Sequence, residues 1–375
     1  MTLRRQPLRL LADDLTGALD SAAAFATPQA PVTVRWRGQV PADGAIALDS
    51  RTREATAEAA GCAVAAVAPR LFARDAGLAF KKIDSLLRGQ EAAELAAILA
   101  SVEPAYCIIA PAFPAQGRVT RSGRQYVRGA RADRPVASNL AADLVHAGHV
   151  VTKSAAGDAV PDGISLWDAE TDADLDAIVA ATGHLSNVLW IGSAGLAAAL
   201  ARATDVQRSR AMAGLPGPIL GLIGSEHDVI REQLARLGAR HVLLDAADRR
   251  ADGDLMRRLA QEGIAFASID LPAGTSRREA AVMIEARFAD LLRRLDRPGT
   301  LVAAGGETLR GLCEALSADR LDVVGEIAPG VPRSILYGGR WDGVTVVSKS
   351  GAFGAPDLLK HLVAGEPAIS AGAAA

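Results

Sequence analysis

Two adjacent aspartates, Asp13 and Asp14, end the apolar run "LRLLA" and precede a Thr-Gly pair that opens an alanine-rich stretch. Carboxylates at such a turn can cap a helix, accept hydrogen bonds from a ligand's hydroxyls, or take a proton from one of them. Other apolar runs in the first half end in groups of mixed sign. Arg51 follows "ALDS", and Lys82, Asp84, Ser85 and Arg88 crowd into "KKIDSLLRG". An arginine offers a bidentate fork to a carboxylate, and a lysine offers a compact charge. Such a set suits a polyhydroxy acid. The competing reading is a set of surface ion pairs and helix caps, each of small energetic weight.

The second half repeats the device with smaller residues. Ser225 stands in "LIGSEHD", Gly305, Gly306, Glu307 and Thr308 in "AAGGETLRG", and Lys349, Ser350 and Gly351 in "VVSKSGAFG". Glycines let backbone N–H groups approach a phosphate, and a helix N-terminus adds favourable partial charge. One such turn is ordinarily only a turn. Three of them, each where an apolar run gives way to a helical stretch, point to an anion site.

The elements that must position these groups alternate along the chain. Strand-like runs ("PVTVRW", "GAIALD", "GLAFKK", "AYCIIA", "NVLWIG") alternate with Ala/Leu-rich helical stretches, the pattern of parallel α/β layering. Ligands of such sheets lie beyond the carboxyl ends of the strands, where the groups above fall. Residues of about 204–218, charged and then Gly/Pro-rich, read as a linker, and the pattern restarts at "ILGLIGS". The spacing predicts a long amphipathic helix in "REAAVMIEARFADLLRRL" and places Pro356 in the first turn of the last helix. The basic run Gly117–Arg134 reads as a solvated loop, with a local basic patch as its alternative.

Composition narrows the classes. At 375 residues two domains are the default. A formal charge of -2 gives no global reason to seek nucleic acid. Cys62, Cys107 and Cys313 are widely spaced and the six histidines form no HExxH pattern, so a reducing compartment is expected and a structural metal site is not. The start "MTLRRQP" leads into an apolar run that breaks at Asp13, too early for a signal peptide, and no uncharged apolar run approaches the roughly 18 residues of a membrane span. A cytoplasmic protein is the expectation. Neither GxxxxGKS nor GxxxxGKT occurs, which excludes a P-loop, and "GSAGLA" lacks the GxGxxG spacing of a dinucleotide site.

Nine segments, in order, resemble the signatures of the four-carbon acid sugar kinase family. They are "LADDLTGALDSA", "DSR" at Asp49–Arg51, "KKIDSLLRG", "APAFPAQGRVT", "GSAGLAAALA", "GSEHDVIREQ", "AAGGETLRGLCEAL", "EIAPGVP" and "SKSGAFGAPDLL", spanning about Leu10 to Leu359. The resemblance implies two α/β domains, each a largely parallel layered sheet, with the active site in the cleft between them. It assigns residues 1–210 to binding of an acid sugar and 215–365 to the nucleotide; the small-residue tail, 366–375, reads from its composition as disordered. The resemblance implies an enzyme that phosphorylates threonate, erythronate or 3-oxo-tetronate with ATP and Mg²⁺.

On this reading Asp14 is the candidate base, with Asp84 second, and Asp13, Arg51, Lys82, Ser85 and Arg88 hold the acid. Ser225, Gly305, Gly306, Glu307, Thr308, Lys349 and Gly351 hold the nucleotide, Glu307 supporting the metal through water. The partners implied are small molecules, neither nucleic acid nor membrane, with a homo-oligomer left open. Three positions depart from the family pattern: Leu86 replaces a Thr, and His227 and Ile230 replace a Ser and a Thr. These changes keep open an alternative, a non-catalytic or regulatory sugar-acid-binding protein with a weakened nucleotide site.

Overall fold

Leu8–Ala12 (β1) is buried throughout, as a mainly apolar strand in a sheet covered on both faces must be, and the buried Arg9 within it donates to the Ala76 and Pro41 carbonyls. The computed structural model describes residues 6–38, 40–41, 43–204 and 214–365. Most of the expected linker, the tail 366–375 and most of "MTLRRQP" lie outside the described residues. The chain divides into two compact units, Met1–Arg208 and Ser209–Ala375. Both are α/β.

In the first unit β1 leads into α1 (Leu15–Ala23), then β2 (Val32–Arg35), β3 (Ile46–Asp49) and α2 (Ala57–Leu71). Next come β4 (Leu78–Lys82), α3 (Glu91–Val102) and β5 (Tyr106–Ala110). A side excursion, β6 (Arg118–Arg121), β7 (Arg124–Val127) and β8 (Arg134–Pro135), precedes α4 (Leu140–His146). The unit closes with β9 (Val151–Ala155), β10 (Gly163–Asp168), α5 (Asp172–Thr182), β11 (Val188–Gly192) and α6 (Ala194–Ala203). The sheet runs β2-β3-β1-β4-β11-β5-β10-β9, every pair parallel. Helices α2, α3 and α4 pack onto one core through Val64, Ala68, Leu95, Ile98 and Leu144. Helix α1 packs with α6, and α6 with α5. The chain passes from β1 to β2 and β3 on one side and to β4 on the other, so the sheet's direction of growth reverses beside β1. That switch point is where such sheets open a crevice.

The expected loop Gly117–Arg134 is instead a three-stranded antiparallel sheet. Arg121 pairs with Asp133 and Glu170, and the Ser122 and Gly123 amides donate to Asp168.

The second unit contains β12 (Ile219–Ile223), α7 (Asp228–Ala235), β13 (His241–Asp245), α8 (Asp252–Glu262) and β14 (Ile264–Asp270). It continues with α9 (Arg277–Leu292), β15 (Thr300–Ala304), α10 (Gly306–Ala315), β16 (Arg320–Ala328), β17 (Val331–Tyr337), β18 (Thr345–Lys349) and α11 (Leu358–Ala364). Helix α9 is the long helix expected, started by a Ser276–Glu279 capping box. Its sheet runs β13-β14-β12-β15-β18-β17-β16. The first five strands are parallel, and β17 and β16 join antiparallel. A second switch point falls beside β12. Pro356 precedes the Asp357 cap of α11, so the helix begins two residues later than its proline suggested. Among the described residues no helix is long and apolar enough to cross a membrane.

Beneath the first switch point lies a buried ion pair. Lys81 Nζ is 2.6 Å from Glu94 Oε2, and both side chains are essentially inaccessible. Removing one partner strands the other charge, at a cost of about 3–5 kcal/mol, whereas replacing both with apolar groups costs far less. Urea unfolding of Glu94→Leu is therefore expected to show a loss of that size, most of it recovered in the Lys81→Met/Glu94→Leu double variant. Equal losses in the single and double variants would rule out the pairing as the cause.

Candidate functional site

Asp14 is the N-cap of α1, its Oδ1 accepting from the Gly17 amide at 3.0 Å and its Oδ2 from the Thr16 hydroxyl at 2.6 Å. The capping role is therefore real, but it does not exhaust the residue. Arg53, which sequence reasoning passed over in favour of Arg51, reaches both aspartates. Its Nε and Nη2 meet the two oxygens of Asp13 at 2.6 and 2.8 Å, and Nη2 also lies 2.9 Å from Asp14 Oδ1. Asp13 is only 2% exposed. Burial pushes its carboxyl up, but Arg53, together with Lys82 and Lys81, outweighs burial and holds it below the ordinary range. Burial works against the charge of Arg53 as well, and the two aspartates raise its pKa well above normal.

Backbone geometry explains why residue 53 does this rather than residue 51. The Ser50 amide donates to the Ala12 carbonyl, and the Thr52 and Arg53 amides both donate to that of Asp13, drawing the segment along the end of β1. Arg51 sits at a left-handed corner, φ 61°, with its side chain exposed. The chain turns there, and the next arginine points back. Thr52, in turn, donates to Glu94, which ties this loop to the buried Lys81 pair.

The loop after β4 adds the remaining groups. Lys82 Nζ donates to the Ile83 carbonyl at 2.9 Å. A Cβ placed on Gly17 would stand 2.5 Å from Asp14 Oδ1 and 2.9 Å from Lys82 Nζ, so the amine and the carboxylate flank the same point and only glycine fits between them. Asp84 is buried with both oxygens on the Arg88 guanidinium. Burial alone would raise the Asp84 carboxyl, but Arg88 and Arg53 drive it far below the usual range. A carboxylate so committed is a poor proton acceptor. Ser85 lies on the loop held by Gln125 of β7, whose amide donates to the Ser85 and Pro111 carbonyls. Arg118, at the start of β6, stands close enough to feel both Asp84 and Arg88. Leu86, the departure from the family Thr, packs against the core.

Three loops converge in the second unit. A Cβ on Gly351 would fall 1.8 Å from Ser225 Oγ, and one on Gly305 would lie 3.2 Å from Thr308 Oγ1 and 3.6 Å from the Ser225 amide. The strand-end residues Ser225, Gly305, Thr308 and Gly351 thus form one cluster. Gly305, at φ 107°, donates its amide to the Lys349 carbonyl and begins α10 with no side-chain cap. The first amides of α10 are left for an outside acceptor. Glu307 is exposed on that first turn. Lys349 is 1% exposed and its amine has no hydrogen-bond partner among the described residues, a burial that lowers its pKa to about 7. Of the other departures, His227 caps α7 by accepting from the Val229 amide, and Ile230 lies in the core. Gln233 stays on the family pattern and donates to the carbonyls of Phe353, Gly354 and Ala355.

Residues 8–149 match the family model of a sugar-binding N-terminal domain, and residues 220–359 that of a nucleotide-binding C-terminal domain. The chain is similar to a D-threonate kinase of Bordetella bronchiseptica, 31% identical over 93% of this chain and 95% of the relative. A D-threonate kinase of Cupriavidus necator is 32% identical over 94% and 96%. Among solved structures, a Salmonella typhimurium protein described as a putative tRNA synthase shares the fold, with a TM-score of 0.69 at 21% identity over 94% of this chain and 97% of that one.

Arg53→Met would leave Asp13 buried without its principal cation. The native Asp13 pKa is depressed, so its contribution to stability is present at neutral pH and lost in acid; in the variant the charge is a penalty that acid relieves. The melting-temperature gap between wild type and Arg53→Met is expected to be widest near pH 7.5 and to shrink towards pH 4. A gap independent of pH would break the link to Asp13.

Proposed function

The chain belongs to the four-carbon acid sugar kinase family, and from that premise we propose that it moves the γ-phosphoryl group of ATP onto a hydroxyl of a threonate-type sugar acid. The observation that carries this reading is the cluster of Ser225, Gly305, Thr308 and Gly351 around the uncapped start of α10, a cradle for phosphate built from backbone donors. Phosphoryl transfer asks for positioning and charge neutralisation more than covalent chemistry.

Residues 8–149 would bind the acid and residues 220–359 the nucleotide. Asp14, partly exposed and with Oδ2 engaged only by the Thr16 hydroxyl among the described residues, is the base that would orient and deprotonate the acceptor hydroxyl. Lys82 and Arg88 would neutralise charge on the acid, with Arg51 and Ser85 at the rim. Asp13 acts through Arg53, whose fork fixes the bearing of Asp14. No group of three or more His, Cys, Asp or Glu side chains among the described residues is arranged to hold a metal. Mg²⁺ carried on phosphate oxygens and waters needs no such cage, and the exposed Glu307 suits an outer-sphere contact. The ion would supply charge neutralisation for the phosphates.

The alternative, a binding protein with a failed nucleotide site, draws on His227 and Ile230. Since one caps a helix and the other fills the core, neither change empties the cradle. ADP release measured with D-threonate, D-erythronate and 3-oxo-tetronate tests the proposal. Asp14→Asn should lower turnover by about 10²–10⁴-fold, the span of a positioned acid–base group, with nucleotide affinity unchanged. Normal turnover in that variant would remove Asp14 as base. No stabilisation by ATP-Mg²⁺ in a thermal shift would favour the binding protein instead.

Lys349 yields a separate expectation. A buried amine without a partner costs stability, and a lysine is kept so where its counter-charge arrives with the ligand. Lys349→Met is therefore expected to melt higher than wild type while binding ATP about tenfold or more weakly, the usual trade between stability and function. The unfolded chain binds more protons than the folded one between about pH 7 and pH 10.5, so wild-type stability should rise over that window and the variant's should not. A lower melting temperature with intact ATP affinity would make Lys349 structural.

A further inference from the structure

Glu91, the first residue of α3, is 4% exposed and forms no ion pair among the described residues. Its Oε1 accepts from the Gly89 amide at 3.0 Å. The point a Cβ on Gly89 would occupy lies 3.0 Å from Asp13 Oδ2 and 3.1 Å from Glu91 Oε1, so the two carboxyls face each other across that glycine. Asp13 spends its charge on Arg53, and Asp84 spends its own on Arg88. Glu91 has no cation of its own.

We propose that Glu91 is a positioning residue that stays protonated while the site holds a sugar acid, making acid binding take up a proton. This rests on the reading of the first unit as the acid site. The charge balance gives the reason. Arg51, Arg53, Lys82, Arg88 and Arg118 stand against Asp13, Asp14, Asp49 and Asp84, while Lys81 and Glu94 cancel each other. With Glu91 neutral the cations exceed the anions by one, room for one incoming carboxylate. With Glu91 ionised that surplus is gone. The charged residues of the helices packed on α3, namely Glu58 and Arg70 of α2 and Asp143 and His146 of α4, stand exposed and leave this balance alone. Burial, with Asp13 and Asp84 adding to it, raises the Glu91 carboxyl to about 7, so the proton is exchanged near neutral pH. An anion bound beside it must favour the protonated form further, and by reciprocity the protonated form must bind the anion better.

Calorimetry of the full chain with D-threonate, without nucleotide so that Lys349 does not enter, tests this. Run at pH 7.5 in two buffers of unlike ionisation enthalpy, it should report proton uptake on binding. Affinity should fall about tenfold from pH 6 to pH 8.5, the weight of one pKa unit of coupling. Glu91→Gln, which keeps the shape of the protonated acid, should bind without uptake and with a flat pH profile, and Glu91→Asp should restore uptake. Carbon-13 titration of the Glu91 carboxyl in the free protein should give a midpoint near 7. Threonate binding without uptake, a pH profile unchanged in Glu91→Gln, or a midpoint near 4.5 would overturn the inference and leave the kinase reading standing. Absence of binding by any four-carbon acid would overturn both.

Discussion

A buried carboxylate has to be matched where it lies, and in the first unit that carboxylate is Asp13. Taking its charge out of water is affordable only because Arg53 meets both oxygens, and Arg53 can do so only because residues 50–53 are hydrogen-bonded along the end of β1. The same guanidinium then fixes Asp14 at the mouth of α1. From the loop the constraint passes inward through Thr52 to Glu94 and Lys81. A group at this strand end is thus part of one network of charges, and few of them can move alone.

The second unit solves a different problem by different means. Its strand-end loops are short on side chains: Gly305 and Gly351 are small because Ser225 and Thr308 already fill the space beside them. Of its two buried cations, Arg287 is paired with Asp252, whereas Lys349, which continues the core face of Val347 by the alternation of β18, has no hydrogen-bond partner among the described residues. An acid with several hydroxyls needs acceptors and cations set at fixed angles, which favours side chains. A polyphosphate needs many equivalent donors, which favours the start of a helix.

What the sequence made legible follows from this difference. Parallel strands buried on both faces read as mainly apolar runs, so β1, β4, β5, β11, β12, β15 and β18 could be seen, with the loops that follow them. The antiparallel pieces were harder. Strands β6 and β7 carry arginines that end on protein groups, Arg121 in ion pairs and Arg118 and Arg124 on backbone carbonyls, and composition alone made them a loop. Arg53 was hidden for a related reason. Arg51 lies in the recognisable "DSR", and nothing in the linear order reveals that a left-handed residue at 51 turns the next arginine back onto the aspartates. Glu91 carried a signal of sorts, an acidic residue at the start of an apolar helix, but that pattern ordinarily marks an exposed first turn.

The three departures from the family pattern show what a motif letter is worth. Leu86 turns into the core below its loop, Ile230 into the core under α7, and His227 serves its helix as a cap, so in each case a lost hydroxyl is compensated by packing or by a cap. Meanwhile Arg53, two residues beyond its motif, controls the geometry of Asp13 and Asp14. Position in a signature tells which strand end a residue occupies. Whether it then faces the ligand or the core is decided by the turn that carries it, and that turn is set by backbone bonds such as those from Thr52 and Arg53 to Asp13. The chemistry of the site is therefore specified less by the letters of the motifs than by the charge left unpaired once the core has taken what it needs.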